Sequence, residues 1–201
     1  MPRVFAVMFV LAVAVCLAIA PKTANAQKWY EKAVKKVDAK FTPAEAKPGQ
    51  TVTFSLTVEL NEGYHTYPTT QPDKLADGMV NVFKFPAADK VIFVGKTEDP
   101  KDVLTKEEPA LGIKELRYCT GTVTFTRKAV VSPKATAGAA TVKLTSFSLS
   151  VCDKNNCYPP KTVPIEASLK ILDGPAVPVE KAFAEEVAKA LEASGGRKPP
   201  E

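Results

Sequence analysis

The sequence contains a single histidine, His65, and this scarcity removes several classes of function from consideration. A metal site built from several histidines cannot form, and most arrangements of a serine nucleophile with a histidine base lose support. Outside the first 26 residues Met79 is the only methionine, which argues against a methionine-rich copper carrier. We therefore expect neither a metal nor a cofactor.

The chain also lacks a strong excess of charge of either sign. It has 27 Lys and Arg residues against 22 Asp and Glu residues, a net charge of +5. Removing residues 1–26 takes away Arg3 and Lys22 and no acidic residue, so the net charge falls from +5 to +3. The remaining charges of both signs are interspersed along the chain, and we expect no nucleic-acid partner.

One long apolar run is present, at the amino terminus. Arg3 precedes an almost entirely apolar stretch, residues 4–20, and Ala24-Asn25-Ala26 has the small-x-small form of a cleavage site. We predict that residues 1–26 are a signal peptide cleaved after Ala26, which makes the protein periplasmic or otherwise extracytoplasmic. The alternative is an N-terminal membrane anchor, because the run is near the lower limit for spanning a bilayer.

The rest of the chain is rich in short runs with β-strand periodicity. Residues 52–60 are apolar at even positions and polar at odd ones, as in a half-buried strand, and residues 163–171 repeat the alternation. Further β-rich runs are residues 82–85, 91–94 and 122–131. Pro, Gly, Asn and Asp separate the runs. The pattern predicts an all-β fold, an immunoglobulin-like antiparallel β-sandwich.

The two ends of the sandwich carry different signals. Residues 173–196 predict a C-terminal amphipathic helix that packs on the sandwich or on a partner, with these apolar residues at helical spacing: Val179, Ala182, Phe183, Val187, Ala190 and Leu191. Residues 197–201 and the residues around the cleavage site are expected to be disordered. The sequence does not decide the secondary structure of the lead-in, residues 27–36. Trp29, Ala33 and Val37 share a helix face, yet Val37 can instead lead into the first strand.

Two cysteines, Cys152 and Cys157, lie five positions apart in a short polar turn. A disulfide between them would add only about 2 kcal/mol of stability, because the ring it closes is short. Such a pair is better suited to thiol exchange than to stabilising the fold. A structural clip in a secreted sandwich is the alternative interpretation.

The residues before this pair predict where its first sulfur points. Apolar residues fall on even positions up to Leu144 and on odd positions in residues 147–151, and the change near Ser146 indicates a β-bulge. If odd positions face the core after the change, Cys152 faces away from it, toward solvent or a covering loop.

A third cysteine, Cys119, lies outside the predicted signal peptide and shares its parity with Val123 and Phe125. One of three cysteines must be unpaired. We expect Cys119 to be a buried free thiol that packs as a small apolar side chain. A reactive or intermolecular role is the alternative.

The run Cys152-Asp153-Lys154-Asn155-Asn156-Cys157-Tyr158-Pro159-Pro160 and the Lys-Thr-Val after it resemble the active-site hairpin of the DsbD N-terminal domain family. Two upstream segments, residues 44–52 and 60–67, are similar to that family's opening strand pair. The resemblance covers about residues 37–172. It implies an immunoglobulin-like domain that passes electrons from a membrane-embedded reductase to periplasmic thiol proteins, including disulfide isomerases and cytochrome c biogenesis factors.

The resemblance also implies roles for individual residues. Cys157 would form the mixed disulfide with a partner and Cys152 would resolve it. The family's active site has a surround of aromatic and cap-loop residues, and the matching positions here are Tyr64, Tyr67, Glu108, Leu111, Tyr158 and Pro159. The cap corresponds to residues 107–113, and His65 stands where the family often has another aromatic residue. Taken alone, the two tyrosines could be ordinary strand-edge residues and His65 a surface or edge histidine.

Two functions from different classes follow from these observations. The first is an extracytoplasmic thiol-disulfide interchange module, a thiol-disulfide oxidoreductase component without a cofactor. Its partners would be a membrane-embedded thiol reductase of the DsbD transmembrane type and periplasmic thioredoxin-like or disulfide isomerase clients. The alternative is a non-catalytic secreted binding or adaptor sandwich, in which the disulfide is structural.

Overall fold

The computed structural model describes residues 24–195, and most of these residues lie in β-strands. Helix α1 spans Ala24–Ala33 and helix α2 spans Ala184–Gly195. The strands of the described residues are β1 (Val34–Thr42), β2 (Glu45–Ala46), β3 (Thr51–Leu60), β4 (His65–Thr66), β5 (Val82–Lys84), β6 (Val91–Glu98), β7 (Leu104–Glu108), β8 (Ile113–Thr120), β9 (Thr122–Val131), β10 (Gly138–Lys143), β11 (Ser146–Leu149), β12 (Val151–Cys152), β13 (Lys161–Thr162) and β14 (Glu166–Ile171).

The strands form a β-sandwich, which confirms the predicted fold class. One layer is the sheet β1-β3-β9-β6. Three smaller sheets face it across a common core, in the orders β10-β14-β2, β13-β11-β5 and β12-β4-β8-β7. Neighbouring strands pair in antiparallel fashion except for β2 and β14, which pair in parallel over two residues each.

Side-chain alternation along β3 builds the centre of the core. Its even-numbered residues from Val52 to Leu60 are buried, and the odd-numbered ones are only partly covered. β9 continues the layer, with Leu56 directly opposite Phe125. Burial of these apolar side chains is the main favourable contribution to folding. The predicted strand at residues 52–60 is therefore confirmed, as are those at residues 82–85, 91–94, 122–131 and 163–171 in their main parts.

The chain changes sheets between β10 and β11. β10 pairs with β14, whereas β11 pairs with β5 and β13. The change in parity near Ser146 is therefore a break between two strands, and the predicted bulge is wrong. Its consequence is nevertheless as predicted, because the odd-numbered Phe147, Leu149 and Val151 lie in the main core.

The lead-in contains both predicted structures in succession. Helix α1 ends at Ala33 and β1 begins at Val34, so Val37 belongs to the strand. Trp29 and Ala33 are buried in the main core. Since α1 begins at Ala24, the disorder expected around the cleavage site is wrong for residues 24–26; residues 1–23, most of the predicted signal peptide, lie outside the described part of the chain.

Helix α2 packs on the outer face of β6 and β9, which confirms a C-terminal helix on the sandwich. Phe183, Val187 and Leu191 contact a small cluster formed by Ile92, Val94 and Val130. The helix begins at Ala184, later than the apolar spacing from Val179 indicated, because the preceding residues form a tighter turn in which the Phe183 amide donates to the Glu180 carbonyl. The predicted disordered tail, residues 197–201, lies outside the described residues.

The segment before α2 crosses over the turn that contains Gly49. The Val177 amide donates to the Pro48 carbonyl at 2.8 Å. A Cβ atom on Gly49 would lie 1.9 Å from the Val177 carbonyl oxygen, and the residue has a φ of +84°. Only glycine satisfies both conditions. Neither helix of residues 24–195 is long and apolar enough to span a bilayer.

The buried position of Trp29 makes α1 part of the folded domain. We expect Trp29→Ala to lower the free energy of unfolding by about 3 kcal/mol, as for other large aromatic residues truncated in a core. Lys28→Ala on the exposed side of the same helix should change it by no more than about 0.5 kcal/mol. Urea denaturation of both variants makes the comparison. Equal stabilities would show that α1 contributes nothing to the fold.

Candidate thiol-disulfide site

Cys152 and Cys157 are joined by a disulfide of 2.04 Å that closes a tight hairpin. Cys152 ends β12, and the two cysteines form an isolated antiparallel bridge. Backbone hydrogen bonds flank them on both sides: the Tyr158 amide donates to the Val151 carbonyl, and the Asp153 amide donates to the Asn156 carbonyl. The sequence prediction that these two thiols can pair is confirmed.

The two sulfur-bearing residues differ in exposure. Cys152 is only 3% exposed and packs against Tyr67, Ile113 and Leu116 in a small cluster separate from the main core. Cys157 is exposed. The side chain of Cys152 thus points away from the core, as its parity predicted, and lies under covering residues. A thiolate arriving from solvent reaches Cys157 first.

The cover over Cys152 is the β7–β8 hairpin together with the short turn Lys74–Ala76. The predicted cap, residues 107–113, forms the tip of this hairpin, where Pro109–Leu111 make a single 3-10 turn. Ile113 and Ala76 contribute to the buried cluster around Cys152. Leu111 does not: it is 54% exposed, so its predicted place in the surround is at the rim.

Tyr67 places a hydroxyl between the two sulfurs. Its Oη lies 2.9 Å from Cys152 Sγ, to which it donates, and 3.7 Å from Cys157 Sγ. Burial, with a smaller contribution from the charge of Glu108, raises the pKa of Tyr67 to about 12. The phenol is therefore protonated at neutral pH and available as a donor to sulfur.

His65 lies on the central strand β4, directly opposite Cys152. Its Nε2 is 3.4 Å from Tyr67 Oη, and its ring packs edge-to-face on Tyr67 and Tyr118. The interpretation as an edge histidine is wrong, because β4 is paired on both sides, and the His65 side chain is half-buried. Burial, and then the charge of Lys106, lower its pKa, while Asp153 and Glu108 oppose that shift.

The other predicted surround residues lie on two sides of the hairpin. Glu108 ends β7 and forms an ion pair with Lys106 at 3.2 Å. Tyr64 packs against Tyr158, with ring centroids 6.4 Å apart. Pro159 is exposed next to Tyr158. The structure thus brings Tyr67 into contact with the sulfurs and arranges these other residues around the hairpin.

Asp153 organises the turn between the cysteines. Its carboxylate accepts hydrogen bonds from the Asn155 and Asn156 amides, both at 2.7 Å, and from the Tyr158 hydroxyl at 2.5 Å. The Tyr158 bond is the largest cause that lowers the pKa of Asp153, to about 2, and the same bond raises the pKa of Tyr158 to about 12. An aspartate at the start of a tight turn is the sequence signal for this arrangement.

Trp29 is the contact that sequence reasoning missed. Its ring stacks on Tyr158 at 5.2 Å with an interplanar angle of 8°, and the neighbouring Tyr30 lies under the Lys161 ammonium at 4.5 Å. Helix α1 thus packs against the residues that follow Cys157. Only the folded chain brings residues this far apart in sequence together, so no local pattern could have indicated the contact.

Cys119 is a buried free thiol, as predicted. It lies in the main core and is opposite Thr66 in the β4–β8 pair. Burial raises its pKa to about 11, with smaller contributions from Asp99 and Asp102. A thiol with so high a pKa is a poor nucleophile at neutral pH. Within residues 24–195, no group of three or more His, Cys, Asp or Glu side chains is placed to hold a metal ion.

Fold and site together define a β-sandwich with a half-exposed disulfide at one end. No protein-family model matches the sequence, and no curated protein matches it either. Among solved structures, the chain is similar to the N-terminal periplasmic domain of ScsB from Proteus mirabilis, at 16% identity and a TM-score of 0.41 over 78% of this chain and 51% of that one. The chain therefore spans about half the length of that structure.

Two further solved structures have the same kind of similarity. The major pilin subunit BcpA of Bacillus cereus is matched at 11% identity and a TM-score of 0.36, over 68% of this chain and 40% of the pilin. A type I cohesin–dockerin complex from Clostridium thermocellum is matched at 17% identity and a TM-score of 0.34, over 69% of this chain and all of the matched one. With TM-scores below 0.5, none of these similarities carries an argument about function.

The hydrogen bond from Tyr158 to Asp153 sets a measurable pH dependence. Because folding lowers the pKa of Asp153 from 3.8 to about 2, the interaction stabilises the folded protein above pH 3.8 and this stabilisation is lost as the pH falls to about 2. We expect Tyr158→Phe to move the pKa of Asp153 back toward 3.8. An NMR titration of the carboxylate measures it, with Tyr118→Phe on β8 as the control that leaves the bond in place. An unchanged pKa in Tyr158→Phe would contradict this assignment.

Proposed function

We propose that this protein is an extracytoplasmic thiol-disulfide interchange module that works through the Cys152–Cys157 pair. The observation that carries the proposal is the unequal exposure of the two residues: Cys157 is open to solvent, and Cys152 is covered and hydrogen-bonded to Tyr67. This difference in exposure suits thiol-disulfide exchange, because one sulfur must be accessible to form the mixed disulfide with the partner and the second must then attack it to release the partner.

The exchange proceeds in two steps. In the reduced protein the Cys157 thiolate attacks a client disulfide, which forms a mixed disulfide and releases one client thiolate. The Cys152 sulfur then attacks Cys157 Sγ, which closes the intramolecular disulfide and releases the second client thiolate. The client gains two electrons and the protein loses two. A donor dithiol restores the reduced protein by attack on the exposed Cys157 sulfur.

The resemblance to the DsbD N-terminal domain family supports a choice of partners. We propose a membrane-embedded thiol reductase as the electron donor and periplasmic thioredoxin-like or disulfide isomerase proteins as clients, with cytochrome c biogenesis as one process that uses them. Residues 1–26, as a cleaved signal peptide, would place the chain in the oxidising compartment where such a relay operates.

Trapping of the mixed disulfide tests the assignment of the two sulfurs. We expect Cys152→Ala to accumulate client proteins bound through Cys157, since the resolving thiol is gone. Cys157→Ala should trap none, because Cys152 is covered. Cys119→Ala is the matched control, and it should exchange as the wild type does because this thiol is buried in the main core. Non-reducing gels and mass spectrometry of bound species read the result.

The reduction potential separates exchange from a structural role. We expect the potential of the Cys152–Cys157 pair, measured against glutathione buffers, to lie above about −300 mV, since structural disulfides typically lie below that value. A lower potential together with no client trapped by Cys152→Ala would instead favour an adaptor sandwich with a structural disulfide.

A further inference from the structure

We propose that Tyr67 is a catalytic residue for the buried sulfur and that His65 is the positioning residue behind it, so that the two form a proton relay from Cys152 to His65. The inference deepens the proposed exchange function and rests on it. It concerns the one histidine of the chain, at a position where the resembling family often has an aromatic residue.

The geometry forms a path of three groups, and its middle member, Tyr67, also lies 3.7 Å from Cys157 Sγ. Cys152 Sγ lies 2.9 Å from Tyr67 Oη, and Tyr67 Oη lies 3.4 Å from His65 Nε2. Backbone pairing of β12 with β4 places His65 opposite Cys152, so the path is anchored at both ends by the sheet. Tyr67 and Cys152 are both buried, which leaves this path as the route for a proton that bulk water does not reach directly.

Burial is the main cause that lowers the pKa of His65, and the nearby charges modify that shift. Lys106 from β7 disfavours the imidazolium, as burial does, whereas Glu108 from β7 and Asp153 from the cysteine turn favour it. The remaining titratable neighbours, Tyr67 and Tyr118, contact the ring edge-to-face. The balance lowers the pKa of His65 below 6.5, so the imidazole is neutral at pH 7 and can accept a proton. Tyr67, with a pKa of about 12, passes a proton on without remaining ionised.

The relay acts in the resolving step. In the disulfide form the Tyr67 hydroxyl donates to Cys152 Sγ. In the mixed disulfide Cys152 carries a thiol, which donates to Tyr67 Oη while the phenol donates to His65 Nε2. As Cys152 Sγ attacks Cys157 Sγ, the thiol proton moves to Tyr67 Oη and the phenol proton moves to His65 Nε2. The products are the Cys152–Cys157 disulfide, the client thiolate and an imidazolium, which returns its proton to solvent. In the reverse direction, Cys152 leaves as a thiolate and the same path delivers a proton to it. No other reactant is needed.

Oxidation of the reduced protein by oxidised glutathione tests the relay. Acid quenching followed by mass spectrometry separates reduced, glutathionylated and oxidised protein, and therefore gives the rates of mixed-disulfide formation at Cys157 and of its resolution by Cys152. We expect the wild-type resolution rate to fall as the pH drops through an inflection below 6.5. Above that inflection, the rate should be nearly constant until the thiol itself ionises.

Four variants test which side chains cause the pH dependence of the resolution rate. His65→Phe, His65→Gln and Tyr67→Phe should resolve about a hundredfold more slowly at pH 7, the lower range for a positioned acid or base. Their inflection should be replaced by a rate that rises about tenfold per pH unit, because hydroxide then removes the proton. Tyr118→Phe, which keeps a ring against His65, should keep the wild-type profile. Formation of the mixed disulfide at the exposed Cys157 should be affected far less than resolution, and far-UV circular dichroism checks that each variant is folded.

The outcomes distinguish the two levels of the proposal. If His65→Gln and Tyr67→Phe resolve the mixed disulfide at the wild-type rate and with the wild-type pH profile, the relay is overturned and the exchange function still holds. A wild-type protein that forms no mixed disulfide, or never resolves it, would overturn the exchange function and the relay together. The glutamine variant keeps a polar side chain, so it decides the matter even where His65→Phe fails to fold.

Discussion

The alternation of side chains along β11 and β12 is the constraint on which the site depends. Phe147, Leu149 and Val151 enter the main core, and a strand can present only every second residue to that side. Cys152 must therefore face the other way, where the β7–β8 hairpin covers it. Shifting the strand by one residue would bury the sulfur in the core and expose three large apolar side chains. The packing of the sandwich thus sets the orientation of the sulfur.

The exposed position of Cys157 has a different cause. After Cys152 the chain turns back within a few residues, and Asp153 holds that turn through the Asn155 and Asn156 amides. The stacking of Tyr158 on Trp29 then ties the returning chain to helix α1. Cys157 lies between these two attachments. Core packing orients the Cys152 sulfur, and the hydrogen bonds of the turn orient the Cys157 sulfur. The unequal exposure of the two cysteines therefore has two independent causes.

Much of this arrangement follows from local sequence patterns, and the rest depends on contacts between distant segments. Three features can be predicted from the sequence because each reflects the side-chain period of a strand. They are the alternation in residues 52–60, the change in parity near Ser146 and the orientation of Cys152. The stack of Trp29 on Tyr158 and the pairing of His65 with Cys152 cannot be predicted in this way, since they join segments separated by more than 80 residues. The start of α2 differs from the prediction because apolar spacing continues through a turn that is not helical.

The sheet that carries the site also keeps the third cysteine out of it. Thr66 on β4 pairs with Val151 on one side and with Cys119 on the other. Cys119 projects into the main core, whereas Cys152 packs in the cluster on the opposite face. A disulfide between them would require a sulfur to pass through a hydrogen-bonded layer. The core thiol therefore lies near the Cys152–Cys157 disulfide but on the other side of the sheet, and the layer that separates them is the one that holds His65 against Cys152.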